Sequence, residues 1–300
     1  MTTKSKLKAK APSEATPAKP KILIYGAPGV GKTWVCLDWP RTYYVDTEGG
    51  ANLPHYTTKL TESGGMYLGP EDGSNDLELI NSQIVALTTE THAFGTLVID
   101  SHTKSFNAAI SAEAERLGSL DKFGASKKPA LALARAFVDR LDRLPMNAII
   151  ICHEKPEWGV DAKGDRTEIG KTFDGYEKLA YELHLVLHVQ KRGGKRVAVV
   201  KKSRLKGFPE GETIPWSFEE IAARYGRDII ERVDAPLVLA TTEQVAELDA
   251  LVAVLKVEDG LIEKWLSKAK AEKTADFTTT QIAACIDALQ KRIPTATIQP

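Results

Sequence analysis

The feature that most constrains this chain is residues 21–33, KILIYGAPGVGKT. Lys21, Ile22, Leu23, Ile24 and Tyr25, dominated by β-branched and aromatic side chains, read as a buried strand. The strand runs straight into the pattern G-x-x-x-x-G-K-[ST], filled by Gly26, Ala27, Pro28, Gly29, Val30, Gly31, Lys32 and Thr33. Glycine is needed where backbone N–H groups converge on a phosphate with no Cβ in the way, and a following helix turns its partly positive N-terminus to the same point. Lys32 then belongs on the β- and γ-phosphates of ATP, and the Thr33 hydroxyl on Mg²⁺. The alternative, a glycine turn that merely joins a strand to a helix, has to attribute every fixed position to coincidence.

Composition narrows the class further. A chain of 300 residues with 43% apolar content can bury a sizeable core, so one large domain with a small appendage is expected. The net charge is zero, and any affinity for nucleic acid must come from local patches. Cys36, Cys152 and Cys285 are odd in number, lack metal-ligand spacing and read as small buried hydrophobes in a reducing compartment. No apolar run approaches the length of a membrane span and the N-terminus lacks a signal-peptide core, so a cytoplasmic protein without a membrane partner is expected. Residues 1–20 carry Lys4, Lys6, Lys8, Lys10 and Lys19 against Glu14 and read as a disordered basic tail, either simply solvated or brushing a nucleic-acid backbone.

Beyond the glycine loop, a short helix closes at Pro40 and a second strand, residues 42–45, ends in Asp46-Thr47-Glu48-Gly49-Gly50. In an open α/β sheet the carboxyl ends of the strands are where ligands bind, so Glu48 is a candidate for orienting an attacking water; an acidic turn before two glycines is the plainer alternative. Residues 51–75, rich in Gly, Thr and Ser, read as a long surface loop, and Asn75 with Glu78 as the start of a helix. The apolar strand at residues 96–99 ends in Asp100, and downstream of a phosphate loop such an aspartate is the expected partner of Thr33 at Mg²⁺. Another buried strand, residues 148–152, delivers His153 and Glu154 to the same edge; His153 can sense the γ-phosphate or serve a structural role. Residues 155–175 show no consistent period and read as a functional or mobile loop. A short helix and a hairpin follow, and residues 191–210 concentrate Lys191, Arg192, Lys195, Arg196, Lys201, Lys202, Arg204 and Lys206 against Glu210. Three prolines make residues 207–236 read as irregular cover for a sheet edge. Thr241 with Gln244, and Thr278 with Gln281, look like capping boxes of a small helical module whose apolar residues read as its own core.

The order of phosphate loop, YYVDTEGG, VIDS, ICHEK, hairpin and VVKKSRLK resembles the RecA-like recombinase core, and especially the phage nucleotide-binding proteins that include single-strand annealing ATPases. The likeness spans residues 21–207. It implies an α/β fold, a RecA-like P-loop NTPase core with a mostly parallel twisted sheet flanked by helices, over residues 21–236, followed by a small helical C-terminal module, residues 237–300. It implies Mg²⁺-dependent ATP hydrolysis with Glu48 as the catalytic carboxylate. His153 stands where bacterial RecA has glutamine and is similar to the phage branch. Two DNA-facing loops of the family correspond by position to residues 118–129 and 155–175, which makes Lys122, Phe123, Lys127, Lys128, Trp158, Lys163, Arg166 and Lys171 candidates for holding single-stranded DNA, with Phe173 a further stacking candidate. Lys201 resembles the basic element that family members place on a neighbour's nucleotide, so self-assembly as a filament or ring is implied.

The resulting expectation is a DNA-dependent ATPase of phage DNA recombination or single-strand annealing, working in a host cytoplasm, with a single-strand-binding protein as a candidate partner of the C-terminal module. Two alternatives stand beside it. One is a ring helicase or helicase-loader ATPase; the other is a nucleotide-switched module that grips a protein without touching DNA.

Overall fold

Alternate residues of the first strand face opposite ways, Ile22 and Ile24 into one apolar cluster and Leu23 and Tyr25 into another. A strand apolar on both faces needs cover on both, and so belongs inside a parallel sheet. The computed structural model, which describes residues 17–122 and 124–292, has it there. The strands are β1 (Lys21–Tyr25), β2 (Thr42–Asp46), β3 (Met66–Leu68), β4 (Thr96–Asp100), β5 (Asn147–Val160), β6 (Arg166–Asp174), β7 (Leu185–Arg192), β8 (Lys195–Ser203) and β9 (Thr213–Pro215). They lie in the order β3-β2-β4-β5-β1-β7-β8-β9, with β6 paired to the outer half of β5. Every pairing from β3 to β7 is parallel, and the β5–β6, β7–β8 and β8–β9 pairs are antiparallel.

The helices are α1 (Lys32–Cys36), α2 (Pro54–Glu62), α3 (Leu77–Thr89), α4 (His102–Leu117), α5 (Lys127–Arg143), α6 (Leu179–Glu182), α7 (Phe218–Tyr225), α8 (Arg227–Glu231), α9 (Thr242–Val254), α10 (Asp259–Ala269) and α11 (Thr279–Gln290). Leu77, Ile80 and Ile84 of α3 and Ala134, Phe137 and Leu141 of α5 recur at helical spacing and cover one face of the sheet. The other face is covered by α1, α7 and α8 through Val35, Ile221 and Ile230. The α/β architecture expected from the sequence, a mostly parallel sheet flanked by helices with further helices at the C-terminus, is the one observed. Among the described residues no helix is long and apolar enough to cross a membrane.

Both capping boxes form, Thr241 with Gln244 and Thr278 with Gln281, and α9, α10 and α11 share a separate cluster around Leu248, Phe277 and Ile282. Ion pairs Arg140–Glu272 and Asp142–Lys270, each at 2.6 Å, tie this cluster to α5, beside a cavity of about 910 Å³.

Several local readings need correction. Residues 51–75 are not one loop: Pro54 opens α2 at its first turn, where a missing N–H costs nothing, and Met66–Leu68 adds a parallel strand to β2. The cap of α3 is Asp76, which accepts the Glu78 N–H at 2.8 Å, rather than Asn75. Residues 155–175 form a β-ribbon of β5 and β6, and residues 207–236 hold α7, capped by Ser217. Of the tail, residues 1–16 lie outside the described residues, as do Phe123 and residues 293–300. Lys19 departs from the solvated tail: it is buried, and its ammonium donates to the carbonyls of Ile229 and Ile230 at 2.6 and 3.3 Å and to that of Arg232. These are carbonyls at the end of α8 that the helix itself leaves without partners.

Lys21 is buried in the same way, donating to the carbonyls of Leu144 and Met146 at 2.7 and 2.6 Å. A neutral amine still has two hydrogens for these bonds, and burial brings the group down from 10.5 to about 7. Between those values the unfolded chain binds one proton more than the folded chain, so stability rises with pH across the window, by about 1.4 kcal/mol per pH unit at most. Lys21→Met removes this slope whatever its effect on absolute stability. Urea midpoints measured at about pH 7.5 and about pH 9.5 are expected to show a gain in the parent protein that the variant lacks; equal gains contradict the assignment.

Candidate active site

Parallel register lines up the ends of three strands with the middle of a fourth. Tyr25 pairs with Cys152, Asp100 with Ile151, and Asp46 with Asp100, so the segments after β1, β2 and β4 and the midpoint of β5 meet along one edge. Gly26–Thr33 leaves β1 there. A Cβ on Gly26 would stand 2.2 Å from the carbonyl oxygen of Val189, so only glycine lets the loop pass the middle of β7. Gly31, at φ 89°, caps α1 from the left-handed region, and its carbonyl accepts the Trp216 indole N–H at 3.1 Å. Lys32 folds its ammonium onto the loop, donating to the carbonyls of Gly26 and Ala27 at 2.7 and 2.9 Å. Burial pulls Lys32 below the ordinary lysine range, while Asp100, Glu48 and Glu154 oppose that shift.

Thr33 and Asp100 come together from α1 and β4. The Thr33 hydroxyl donates to Asp100 Oδ2 at 2.6 Å, and the Tyr44 hydroxyl donates to the same oxygen at 2.5 Å. Burial raises the Asp100 carboxyl above its usual range, and the two donors pull it back. Among the described residues no group of three or more His, Cys, Asp or Glu side chains could hold a metal by itself. A hydroxyl and a carboxylate side by side are hard oxygen donors, and they fit Mg²⁺, which commonly takes one or two protein oxygens and completes its shell with phosphates and water.

Glu48 owes its place to a residue that pattern reading passed over. Asp46 is buried at the end of β2; its Oδ1 accepts the N–H groups of Glu48 and Gly49 at 2.9 Å each, and its Oδ2 accepts that of Ala51 at 2.7 Å. The turn after β2 is therefore wrapped around one carboxylate. Thr47 ties it to β4, accepting the Ser101 N–H at 2.8 Å and donating to the Ser101 carbonyl at 3.0 Å. Glu48 Oε1 then accepts from Ser101 Oγ at 2.7 Å and from His153 Nε2 at 2.5 Å. Burial alone would raise Glu48, but these two donors win and hold it below the usual carboxylate range. Asp46, Tyr44, Thr47 and Ser101 were legible only as loop and strand residues, although the D-T-E-G-G spelling, an aspartate two and three positions before the N–H groups it binds, is an Asx-turn signal.

The same side of the sheet holds a second acid–imidazole pair. His188 on β7 stacks on Tyr25, with ring centroids 4.6 Å apart and planes at 9°, and its Nε2 lies 3.1 Å from Glu154 Oε2. Burial lowers the His188 imidazole against the pull of Glu154.

The DNA-binding candidates divide into two groups. Trp158, Lys163, Arg166 and Lys171 lie on the β5–β6 ribbon, which continues from His153. Trp158 is 51% exposed, and the Arg166 guanidinium sits 4.7 Å from its ring centre. Lys171 pairs with Glu168 at 2.6 Å. Phe173 is not available for stacking: it is buried and packs near Tyr25, with centroids 6.3 Å apart. Lys122, Lys127 and Lys128 are exposed around the start of α5.

The basic stretch of residues 191–210 is not one patch. Antiparallel pairing sends Lys191, Arg192, Lys195 and Arg196 to the phosphate-loop end of the sheet, and Lys201 to a register shift level with Val186 and Leu187, further down. Lys202 and Arg204 bond carbonyls at the end of α6.

A family model described as AAA domain matches residues 18–205. No curated protein matches the chain. Among solved structures, the chain is similar to one titled as the crystal structure of the RadB recombinase, at 22% identity over 65% of this chain and 84% of that chain, with a TM-score of 0.40. The family match covers more than half of the chain and includes the glycine loop, Glu48, Asp100 and His153, and the chain belongs to the AAA domain family of P-loop proteins.

Proposed function

We propose that this chain is a Mg²⁺-dependent ATPase of the RecA-like type that binds single-stranded DNA and acts in phage DNA recombination or strand annealing. The observation that carries the reading is the bond between Glu48 and His153, because His153 is the residue at which β5 leaves the sheet and becomes the exposed ribbon. One hydrogen bond thus joins the candidate water-orienting carboxylate to the candidate DNA-binding strand.

The loop N–H groups and the Lys32 ammonium would neutralise the triphosphate, since phosphoryl transfer asks a protein mainly for position and charge. Mg²⁺ held by Thr33 and Asp100 would supply further positive charge at the phosphates. Ser101 and His153 both use Glu48 Oε1, which leaves Oε2 to accept a hydrogen bond from water and aim its oxygen at the γ-phosphorus. The bond between that phosphorus and the bridging oxygen breaks, giving ADP and phosphate. Lys201, which lies away from the glycine loop of its own chain, would act on the nucleotide of a neighbouring copy in a filament or ring. Residues 237–300 would form a separate module open to a single-strand-binding protein, and the cytoplasm is the compartment where these activities belong.

On single-stranded DNA, Trp158 and Arg166 would offer an aromatic face and a cation at one point of the ribbon, a pairing suited to stacking a base and holding its phosphate. Glu48→Gln is expected to lower ATP turnover by about 10²–10⁴-fold with ADP affinity kept within about threefold; turnover near the parent rate refutes the role. Trp158→Ala is expected to cost about 1–3 kcal/mol of affinity for a single-stranded oligonucleotide at low salt, read by fluorescence anisotropy. Unchanged anisotropy curves refute the ribbon as the DNA contact.

A further inference from the structure

The glycine loop has a neighbour that none of the roles above uses. Arg196, the second residue of β8, lays its side chain across Gly31: a Cβ there would lie 2.5 Å from Arg196 Nε and 2.7 Å from its Cδ. The backbone behind it is anchored, since the Arg196 carbonyl accepts the Trp216 N–H at 3.1 Å while the Trp216 indole holds the Gly31 carbonyl. Loop, arginine and tryptophan are therefore one packed unit. Arg192, nearby on the same hairpin, is occupied by Gln190 at 2.9 Å, and Arg224 by Glu212 and Glu220. Arg196 is exposed and makes no such ion pair or side-chain hydrogen bond among the described residues, so its charge beside the loop is met by solvent alone.

Its side of the loop matters. In the order β4-β5-β1-β7-β8, Asp100, Glu48 and His153 lie to one side of β1 and Arg196 to the other. The first side is where the water-orienting group and the metal ligands meet, so it is the γ-phosphate end. An arginine on the opposite side would then face the part of a bound nucleotide that ATP and ADP share.

We propose that Arg196 is a nucleotide-binding residue supplied by the same chain, whose guanidinium takes a phosphate oxygen toward the nucleoside end of a bound nucleoside di- or triphosphate. The planar fork of an arginine suits that task, and its stem seals the loop at Gly31. This assignment rests on the nucleotide site proposed above.

The test is equilibrium binding of a fluorescent ADP and of a non-hydrolysable ATP analogue to the full chain. Arg196→Met keeps an apolar stem over Gly31 and removes the charge; Arg196→Lys keeps a charge without the fork. The Met variant is expected to bind both nucleotides about tenfold more weakly, by the same factor, and with a shallower dependence on salt. The Lys variant is expected to fall between it and the parent. Parent-like affinity in the Met variant overturns the proposal, as does a loss confined to the triphosphate analogue, which would move Arg196 to the γ-phosphate. Lys32→Ala serves as the control for the site itself: if the parent binds nucleotide and Lys32→Ala does not, the site stands whatever Arg196 does. Failure of the parent to bind either nucleotide overturns both.

Discussion

The register of the parallel sheet is the constraint on which the rest depends. Because β2, β4, β5 and β1 pair in phase, Asp46, Asp100, Ile151 with Cys152, and Tyr25 end on one line. A slip of a single residue in any pair would turn that strand's apolar residues to the wrong face, and a sheet covered on both faces does not tolerate it. The apolar core thus fixes the spacing of the polar groups at its edge. Thr33 meets Asp100, Glu48 meets Ser101 and His153, and none of these contacts needs a long or flexible side chain to bridge a gap.

Two carboxylates at that edge are held in opposite states of readiness. Asp100 is half-buried and its carboxyl raised, with hydroxyls of Thr33 and Tyr44 satisfying one oxygen; a cation placed beside it would favour its charged form. Glu48, closer to solvent, is kept low by two donors. Environments that push neighbouring carboxyl groups apart are a common way to give them different tasks. Behind both lies Asp46, which bonds three backbone N–H groups and so builds the turn on which Glu48 stands.

What the sequence makes legible follows from how local each signal is. Glycine loop, buried strands and capping boxes are patterns within about eight residues, and they can be read directly. The β5–β6 ribbon is hidden because Pro156, Gly159, Gly164 and Gly170 break the usual strand composition, and its pairing widens from Val160 with Arg166 at the turn to His153 with Asp174 at the base. α7 is hidden by surrounding prolines, though Ser217 before Glu220 is a cap signal. Lys19 reads as tail and Lys21 as the first residue of a buried strand, and only the folded chain reveals that each occupies carbonyls from distant segments. Arg196 is one basic residue among eight in its stretch; nothing local separates it from Lys201, and the antiparallel turn alone sends the two to different ends of the sheet.

The link from ribbon to carboxylate is the step by which DNA would reach the ATPase site. ATP hydrolysis measured with and without single-stranded DNA, in the parent and in His153→Ala, tests it most directly. The account predicts turnover that rises on DNA in the parent and stays flat in His153→Ala, although that variant still binds the DNA. Equal stimulation of both proteins would contradict it.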